Sequence, residues 1–249
     1  MQKKNLELSS ECERLMLDRV GNRLVNDVHW NETSSETATL HREKFNSFYE
    51  DLVFSALDTG LKEGKALDLG TQFGLCASNL GKQNFDFEIT SMQDNSQHIK
   101  LSREMSEKDM TNDKIKWIEG KPEVLPFKDK TFDLIISGFA MHHWENPVNA
   151  LNEIERVLKM KGTLILADFR RDAFSLMAPI VKGLSYAVKN DRIYGQIKSA
   201  YNASYTRTEV DEMLKNSNIR ECKTTKDVQF IYVKRMWKGK KHVIVEMSQ

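Results

Sequence analysis

The residues from Asp68 to Gly74 have the types and the spacing that suit ligand binding. They read Asp-Leu-Gly-Thr-Gln-Phe-Gly and overlap the end of a short apolar run at 66–69. Glycines at a strand-to-helix turn let a ligand approach the backbone, and the N–H groups that open the helix face it. A tight turn without a ligand has the same signature, so this segment alone leaves both interpretations open. The spacing differs from the G-x-G-x-x-G of dinucleotide-binding proteins, and an acid two positions before the first glycine suits another cofactor.

Four later segments strengthen the ligand interpretation. Residues 120–127 read Gly-Lys-Pro-Glu-Val-Leu-Pro-Phe, and 131–137 read Thr-Phe-Asp-Leu-Ile-Ile-Ser. Residues 140–144 contain two adjacent histidines, and residues 150–159 end on Arg-Val-Leu-Lys. Histidine at the end of a strand can act as a base for a substrate hydroxyl or thiol. A packing role that shapes the loop is the alternative for both histidines.

The apolar pattern predicts the elements that position these segments. Strands are predicted at 66–69, 85–92, 115–119, 132–137 and 163–168, and helices from the glycine-rich turn to about 81 and at 96–108 and 146–159. Strands that alternate with helices indicate a parallel sheet with right-handed crossovers. The chemically interesting residues follow strand ends, where such sheets bind their ligands.

The flanking segments are predicted to cover this sheet. Helices are predicted at 6–27, 40–57, 173–189, 191–203 and 208–216, a loop at 28–38, and antiparallel strands at 222–246 around a turn at 238–240. We therefore predict an N-terminal helical cap at 1–59 and a core at 60–249 with a helical insertion at 170–204. His29 and Trp30 lie on the predicted loop, where they form either a lid or ordinary surface.

In this order, the Asp68 turn and the four segments resemble the class I S-adenosylmethionine-dependent methyltransferases. The similarity is to their small-molecule branch, which includes the ubiquinone/menaquinone and arsenite methylating enzymes. It covers about 65–169 well and continues loosely through 218. It implies an α/β fold: a Rossmann-like, seven-stranded, mostly parallel sheet with helices on both faces, one antiparallel strand near the edge, and a helical cap. It also implies S-adenosylmethionine as cofactor and in-line displacement of its methyl group by a small-molecule nucleophile.

The resemblance implies roles for individual residues. The glycine-rich turn holds the methionine end of the cofactor, Gln93 faces the ribose, Lys121 lies beside the adenine, and the stretch from Phe139 to His142 lines the side of methyl transfer. The residues predicted to bind the cofactor are Asp68, Gly70, Thr71, Gly74, Gln93, Asp94, Lys121, Pro122, Glu123 and Phe139. The catalytic candidates are His142 and His143.

Three positions depart from the family pattern. Gln72 replaces the middle glycine, Gln93 the ribose acid and Lys121 the adenine-side acid. An amide oxygen accepts hydrogen bonds without the help of a charge, and lysine only donates them. A degenerate scaffold, serving as a binding or regulatory protein with weak or altered cofactor binding, is therefore the alternative to an enzyme. The glycine spacing disfavours a nicotinamide-dependent dehydrogenase.

The composition is that of an ordinary globular protein of 249 residues with a net charge of +1, which gives no indication of nucleic-acid binding. Cys12, Cys76 and Cys222 lack metal-ligand spacing, so we predict free thiols in a reducing compartment and no metal site. Acidic residues interrupt the first twenty positions, and apolar runs are too short to span a membrane. We expect a cytoplasmic monomer or homodimer whose partner is a small-molecule methyl acceptor.

Overall fold

The computed structural model describes residues 35–174, 178–180, 182–183, 191–226 and 230–235. The strands in this part of the chain are β1 (Glu63–Leu69), β2 (Asp86–Gln93), β3 (Ile115–Glu119), β4 (Phe132–Gly138), β5 (Leu158–Phe169), β6 (Lys223–Lys226) and β7 (Phe230–Arg235). The helices are α1 (Ser35–Leu57), α2 (Leu75–Gly81), α3 (Ser96–Lys108), α4 (Pro147–Val157), α5 (Asp191–Ala203) and α6 (Arg207–Asn216). Short 3-10 turns lie at Gln72–Gly74, Asn112–Lys114, Met141–His143 and Arg171–Ala173.

These seven strands form one sheet in the order β3-β2-β1-β4-β5-β7-β6. Strands β1 to β5 run parallel, β7 is antiparallel to β5, and β6 is antiparallel to β7. The strand order reverses between β1 and β4, which is where open α/β sheets form a ligand crevice. The mostly parallel, Rossmann-like sheet predicted from the sequence is confirmed.

Alternation along the central strands creates two cores. Leu134 and Ile136 of β4 belong to a core on the face that carries α1 and α2, with Tyr49 and Leu52 of α1. Ile135 belongs to the opposite core, on the face that carries α4 and α6. Successive side chains of a strand point to opposite faces, so a nearly all-apolar strand is what a sheet covered on both sides requires.

Side-chain caps fix the starts of three helices. Asn95 accepts a hydrogen bond from the backbone of His98 at the start of α3, and Asn146 does the same for α4, whose first residue is a proline. Thr206 and Glu209 form a reciprocal capping box at α6. The two asparagine caps matter for the site because α3 and α4 begin beside it.

Strands β1 and β5 begin earlier than predicted, at Glu63 and Leu158, and two helix boundaries were also wrong. Residues 35–38 were predicted as a loop but form the first turn of α1, which buries Ala38 in the core. Helix α4 ends at Val157 rather than near Lys159, since Leu158 already pairs with Phe132 of β4. Sheet pairing therefore overrides the helical pattern of the last apolar residues.

Several predictions fall on residues outside the described part. These are the helix at 6–27, the loop at 28–34 with His29 and Trp30, Cys12, and the turn at 238–240. The cap at 1–59 and the insertion at 170–204 stay predictions, although α1 packs on the sheet and α5 has the predicted bounds. Among the described helices, none is long and apolar enough to cross a membrane.

Candidate functional site

A cavity of about 250 Å³ lies at the carboxyl ends of β1, β2 and β4. Its lining combines apolar side chains, carboxylates, one amide and one lysine. The lining residues are Leu69, Gly70, Met92, Gln93, Asp94, Asn95, Gly120, Lys121, Pro122, Glu123, Ala140, His143, Trp144 and Glu145. The structure thus brings together seven of the residues predicted for the site: Gly70, Gln93, Asp94, Lys121, Pro122, Glu123 and His143.

The two glycines of the turn have different roles, one at the cavity and one in packing. Gly70 has a φ of +68°, and a Cβ there would lie 3.5 Å from Ala140 Cβ, so it leaves an open side toward the cavity. Gly74 has a φ of +62°, and a Cβ there would lie 2.5 Å from the ring of Trp117. Gly74 is outside the cavity lining, so its small size serves packing between the turn and β3. The side chain of Gln72 is not among those that the structure describes.

Asp68 and Thr71 shape the turn from behind the cavity. Asp68 is 1% exposed, and its Oδ2 accepts hydrogen bonds from Ser91 Oγ at 2.9 Å and from the backbone of Ala77 at 3.3 Å. Its Oδ1 is buried without a hydrogen-bond partner, and burial raises the pKa of Asp68 to about 7. Thr71 Oγ1 accepts the backbone N–H of Gly138 at 3.1 Å, which joins the turn to β4.

Gln93 joins the cavity to this buried network. Its Nε2 donates to the Thr71 carbonyl at 3.2 Å and to Ser91 Oγ at 3.1 Å. The amide nitrogen is therefore engaged inside the protein, and the amide oxygen is the atom suited to accept a hydrogen bond from a ligand. Because Ser91 also donates to Asp68, a carboxylate at position 93 would lie one hydroxyl away from another carboxylate.

Asp94 stands at the cavity with His98 behind it. Asp94 Oδ1 lies 2.5 Å from His98 Nδ1, and the Asp94 side chain is 51% exposed. Desolvation acts to raise the pKa of Asp94, but the hydrogen bond and charge of His98 outweigh it and hold that pKa below its usual value. Asp94 thus presents an ionised carboxylate to the cavity at neutral pH.

The rim of the cavity is tied together by charged groups. Lys121 Nζ lies 2.8 Å from Glu145 Oε1, and both side chains are exposed. Glu123 Oε1 accepts the backbone N–H of Asn146 at 3.1 Å. These contacts join the segment after β3 to the start of α4, so Lys121 belongs to the rim of the cavity.

The two predicted catalytic histidines face different surroundings. His143 lines the cavity, whereas the His142 side chain is fully buried beside it. The two rings lie 4.2 Å apart between centroids. His142 Nδ1 lies 2.7 Å from Asp168 Oδ1 at the end of β5. The sequence analysis missed Asp168 as a partner, although its position at the end of a predicted parallel strand was a usable signal.

Phe139, predicted to line the methyl-transfer side, is buried and does not line this cavity. Its ring is stacked between Phe48 at 4.2 Å and Phe169 at 4.3 Å between centroids. His41 lies edge-on to Phe139 and 2.9 Å from the Tyr49 hydroxyl, and burial lowers the pKa of His41 to about 3. We call Phe45, Phe48, Tyr49, Phe139, Phe169 and Phe230 the aromatic cluster. Local sequence patterns could not reveal it, because its rings come from α1, β5, β7 and the segment after β4.

Comparisons with known proteins agree with this fold. Residues 67–166 match the family model described as a methyltransferase domain. An uncharacterized protein, MJ1123, of Methanocaldococcus jannaschii is 29% identical over 70% of this chain and 73% of its own length. The ubiquinone/menaquinone biosynthesis C-methyltransferase UbiE of Ruegeria sp. is 37% identical over 28% of each chain.

The sheet also has close structural counterparts. The plantazolicin methyltransferase BpumL, solved with a triazolic desmethylPZN analog and SAH, superposes with a TM-score of 0.68 at 14% identity, covering 90% of this chain and 99% of that one. This likeness concerns the fold. The aligned segments span from 24% to 73% of the length of the first curated relatives. Over residues 67–166 the chain is thus similar to the methyltransferase domain family, and its fold is that of solved methyltransferases.

Proposed function

We propose that this protein transfers a methyl group from S-adenosylmethionine to a small-molecule nucleophile by in-line displacement. The observation that carries the proposal is the cavity at the sheet's switch point, which combines the open backbone at Gly70 with the amide of Gln93 in its lining. When bound, the cofactor supplies an electrophilic methyl group on its sulfonium sulfur, and the thioether released in the transfer is a good leaving group. The protein then needs mainly to position the reactants and exclude water.

The lining residues fit such a cofactor. Gly70 leaves room beside the backbone for the methionine end, and Gln93 Oε1 is available to accept from a ribose hydroxyl. Leu69, Met92 and the buried Trp144 offer apolar surface for an adenine ring. The carboxylates Asp94, Glu123 and Glu145 favour a ligand that carries positive charge, as the sulfonium and ammonium groups do.

Calorimetric titration tests this assignment. Wild-type protein should bind S-adenosylhomocysteine and S-adenosylmethionine, and should not bind NAD. Gln93→Leu removes a neutral acceptor worth about 0.5–1.5 kcal/mol, so affinity should fall roughly two- to tenfold. Gln83→Leu, a matched change after α2 and away from the cavity, should leave affinity unchanged. Binding of NAD alone, or equal effects of both variants, contradicts the assignment.

A binding or regulatory role on the same scaffold is the second candidate. The ion pair of Lys121 with Glu145 at the cavity rim favours it, because it puts a cation where the family pattern has an acid. Under this alternative, the titration gives no measurable heat of binding with S-adenosylmethionine or S-adenosylhomocysteine, and Lys121→Asp does not produce binding either. Weak binding that Lys121→Asp improves supports the enzyme.

A further inference from the structure

The N-terminal half of α1, residues 35–45, packs against the glycine-rich turn. The His41 ring meets the Phe73 ring edge-on, with the two centroids 5.3 Å apart, and the Phe45 ring lies 4.7 Å from His41. Phe73 is 1% exposed under these contacts, whereas Gly70 lines the cavity. The two ends of the turn therefore differ in access, because one faces the cavity and the other is covered by α1.

Three unfavourable features lie in and beside the covered end of the turn. Phe73 and Phe139 have φ angles of +55° and +53°, a left-handed conformation that bulky side chains rarely adopt. The His41 ring contacts both of these rings. Asp68 Oδ1 is buried and has no hydrogen-bond partner among the described residues. Strained backbones persist only where the surroundings impose them, and they concentrate at ligand sites and switch regions.

The two halves of α1 are held in different ways. In the C-terminal half, Leu52, Val53 and Ala56 are buried in the core. In the N-terminal half, Ala38 is buried, and the other side chains that the structure describes are half-buried or exposed. The N-terminal half can therefore move away from the turn with a smaller loss of buried apolar surface than the rest of the helix.

An ion pair fastens the N-terminal half of α1 to the end of α3. Arg42 pairs with the carboxylate of Asp109 and donates to the Met105 carbonyl at 3.5 Å. Asp109, whose side chain is 5% exposed, also accepts from Lys82 at 3.1 Å and from Ser78 at 2.8 Å. The carboxylate thus keeps two partners when Arg42 is replaced, so the tie to α1 can be removed without leaving a buried charge unpaired.

We infer that the N-terminal half of α1 is an autoinhibitory cover over the amino-acid side of the cofactor site, while the cavity accepts the nucleoside side without rearrangement. The inference rests on the proposed function and adds a step to it, in which the cover moves away before the amino-acid end reaches the turn. A cationic ammonium group suits a turn that begins with a carboxylate whose Oδ1 is unpaired in the described part of the chain. A protein whose competent state is partly populated binds with an affinity reduced by that fraction.

Two ligands that differ only at the amino-acid end test the cover by calorimetry. 5′-Methylthioadenosine keeps the nucleoside and the sulfur of S-adenosylhomocysteine but has a methyl group in place of the amino-acid chain. Arg42→Met removes the ion pair and keeps most of the aliphatic stem. It should bind S-adenosylhomocysteine about three- to tenfold more tightly than wild type, because the open fraction rises. Its affinity for 5′-methylthioadenosine should change by less than about twofold, because the cavity is open in both states.

Lys82→Met is the matched control. It removes a second cation from Asp109, but one that follows α2 rather than lying on α1. Both affinities should stay at the wild-type values. His41→Ala provides an independent variant, because it removes the ring that contacts Phe73 without touching the ion pair. It should act in the same direction as Arg42→Met and keeps the test valid if Arg42→Met does not fold.

Binding kinetics supply a second criterion. Trp144 lines the cavity, so its fluorescence can report the arrival of either ligand in a stopped-flow experiment. In wild type, the observed rate with S-adenosylhomocysteine should level off at high ligand concentration, because opening of the cover precedes binding. The rate with 5′-methylthioadenosine should rise linearly. Arg42→Met should raise the plateau for S-adenosylhomocysteine.

The outcomes separate the inference from the proposed function. Equal gains for both ligands in Arg42→Met, or the same gain in Lys82→Met, overturn the cover and leave the proposed function standing. No change in either affinity in Arg42→Met and His41→Ala also overturns it, since α1 is then only part of the core. If neither ligand binds to wild type or to any variant, the proposed function fails and the cover fails with it.

Discussion

Gln93 shows how one side chain serves both the turn and the cavity. Its nitrogen completes a chain of hydrogen bonds through Ser91 to Asp68. A carboxylate at this position could neither donate to the Thr71 carbonyl nor avoid repulsion from Asp68. The departure from the family pattern is therefore compatible with an intact site, and its cost is limited to a weaker, uncharged acceptor.

Asp68 should make the stability of the free protein depend on pH. Burial raises its pKa from 3.8 to about 7, so the folded state binds the proton more tightly than the unfolded state. Its contribution to stability is present below pH 4 and is lost as pH rises toward 7. The shift corresponds to at most roughly 4 kcal/mol. In Asp68→Asn, the free energy of unfolding measured with urea should change less between pH 4 and 7 than in wild type.

Asp86→Asn is the matched control for this experiment, because Asp86 lies at the exposed start of β2. It should keep the wild-type pH dependence. If the free energy of unfolding of Asp68→Asn depends on pH as in wild type, Asp68 is ionised in the folded protein at all these pH values. The pH dependence then does not come from its buried, unpaired Oδ1.

At the scale of elements, the turn between β1 and α2 divides packing from binding. The 3-10 segment Gln72–Gly74 puts Gly74 against Trp117, while Gly70 faces the cavity. Gly74→Ala places a side chain on a left-handed backbone, which costs about 1–2 kcal/mol. The added methyl group also clashes with Trp117, which costs about 1–3 kcal/mol. Its unfolding free energy should fall by about 3 kcal/mol, while S-adenosylhomocysteine affinity stays unchanged in the folded fraction.

Gly70→Ala is the complementary change. It meets the same backbone strain but no clash, so stability should fall by only about 1–2 kcal/mol. A methyl group on the open side should nevertheless weaken S-adenosylhomocysteine binding by tenfold or more, which corresponds to about 1.4 kcal/mol. If Gly74→Ala impairs binding more than Gly70→Ala does, the cavity is not where the methionine end binds.

The elements also show what the sequence could and could not predict. The turn and the starts of α3 and α4 follow from local periodicity and capping residues, and α3 and β3 have the predicted bounds. The positions of Phe139, Gly74 and His142 depend on rings and carboxylates that come from distant segments. Lateral contacts of this kind carry no local signal, and they also explain why β5 begins at Leu158, where sheet pairing displaces a helical pattern.

At the scale of the whole molecule, ligand binding should stabilise parts that lie outside the cavity. A ligand at 100 times its Kd stabilises the folded state by about 2.7 kcal/mol. For a chain of this size that corresponds to a rise in Tm of roughly 5–10 °C. The gain should not be uniform, because the turn at Met141–His143 joins the cavity to β5 through Asp168 and contacts α5.

Hydrogen exchange can locate that stabilisation. Helix α5 contacts the turn at Met141–His143 but does not line the cavity. Its amides should therefore exchange faster than those of β4 in the free protein, and their exchange should slow when S-adenosylhomocysteine binds. Amides of β6, at the far edge of the sheet, should not respond. The cofactor analogue contacts neither His142 nor α5 in this proposal, so their protection would report coupling through the turn. Slowing confined to residues 69–70, 92–95 and 120–123 would show instead that α5 moves independently of the cofactor site.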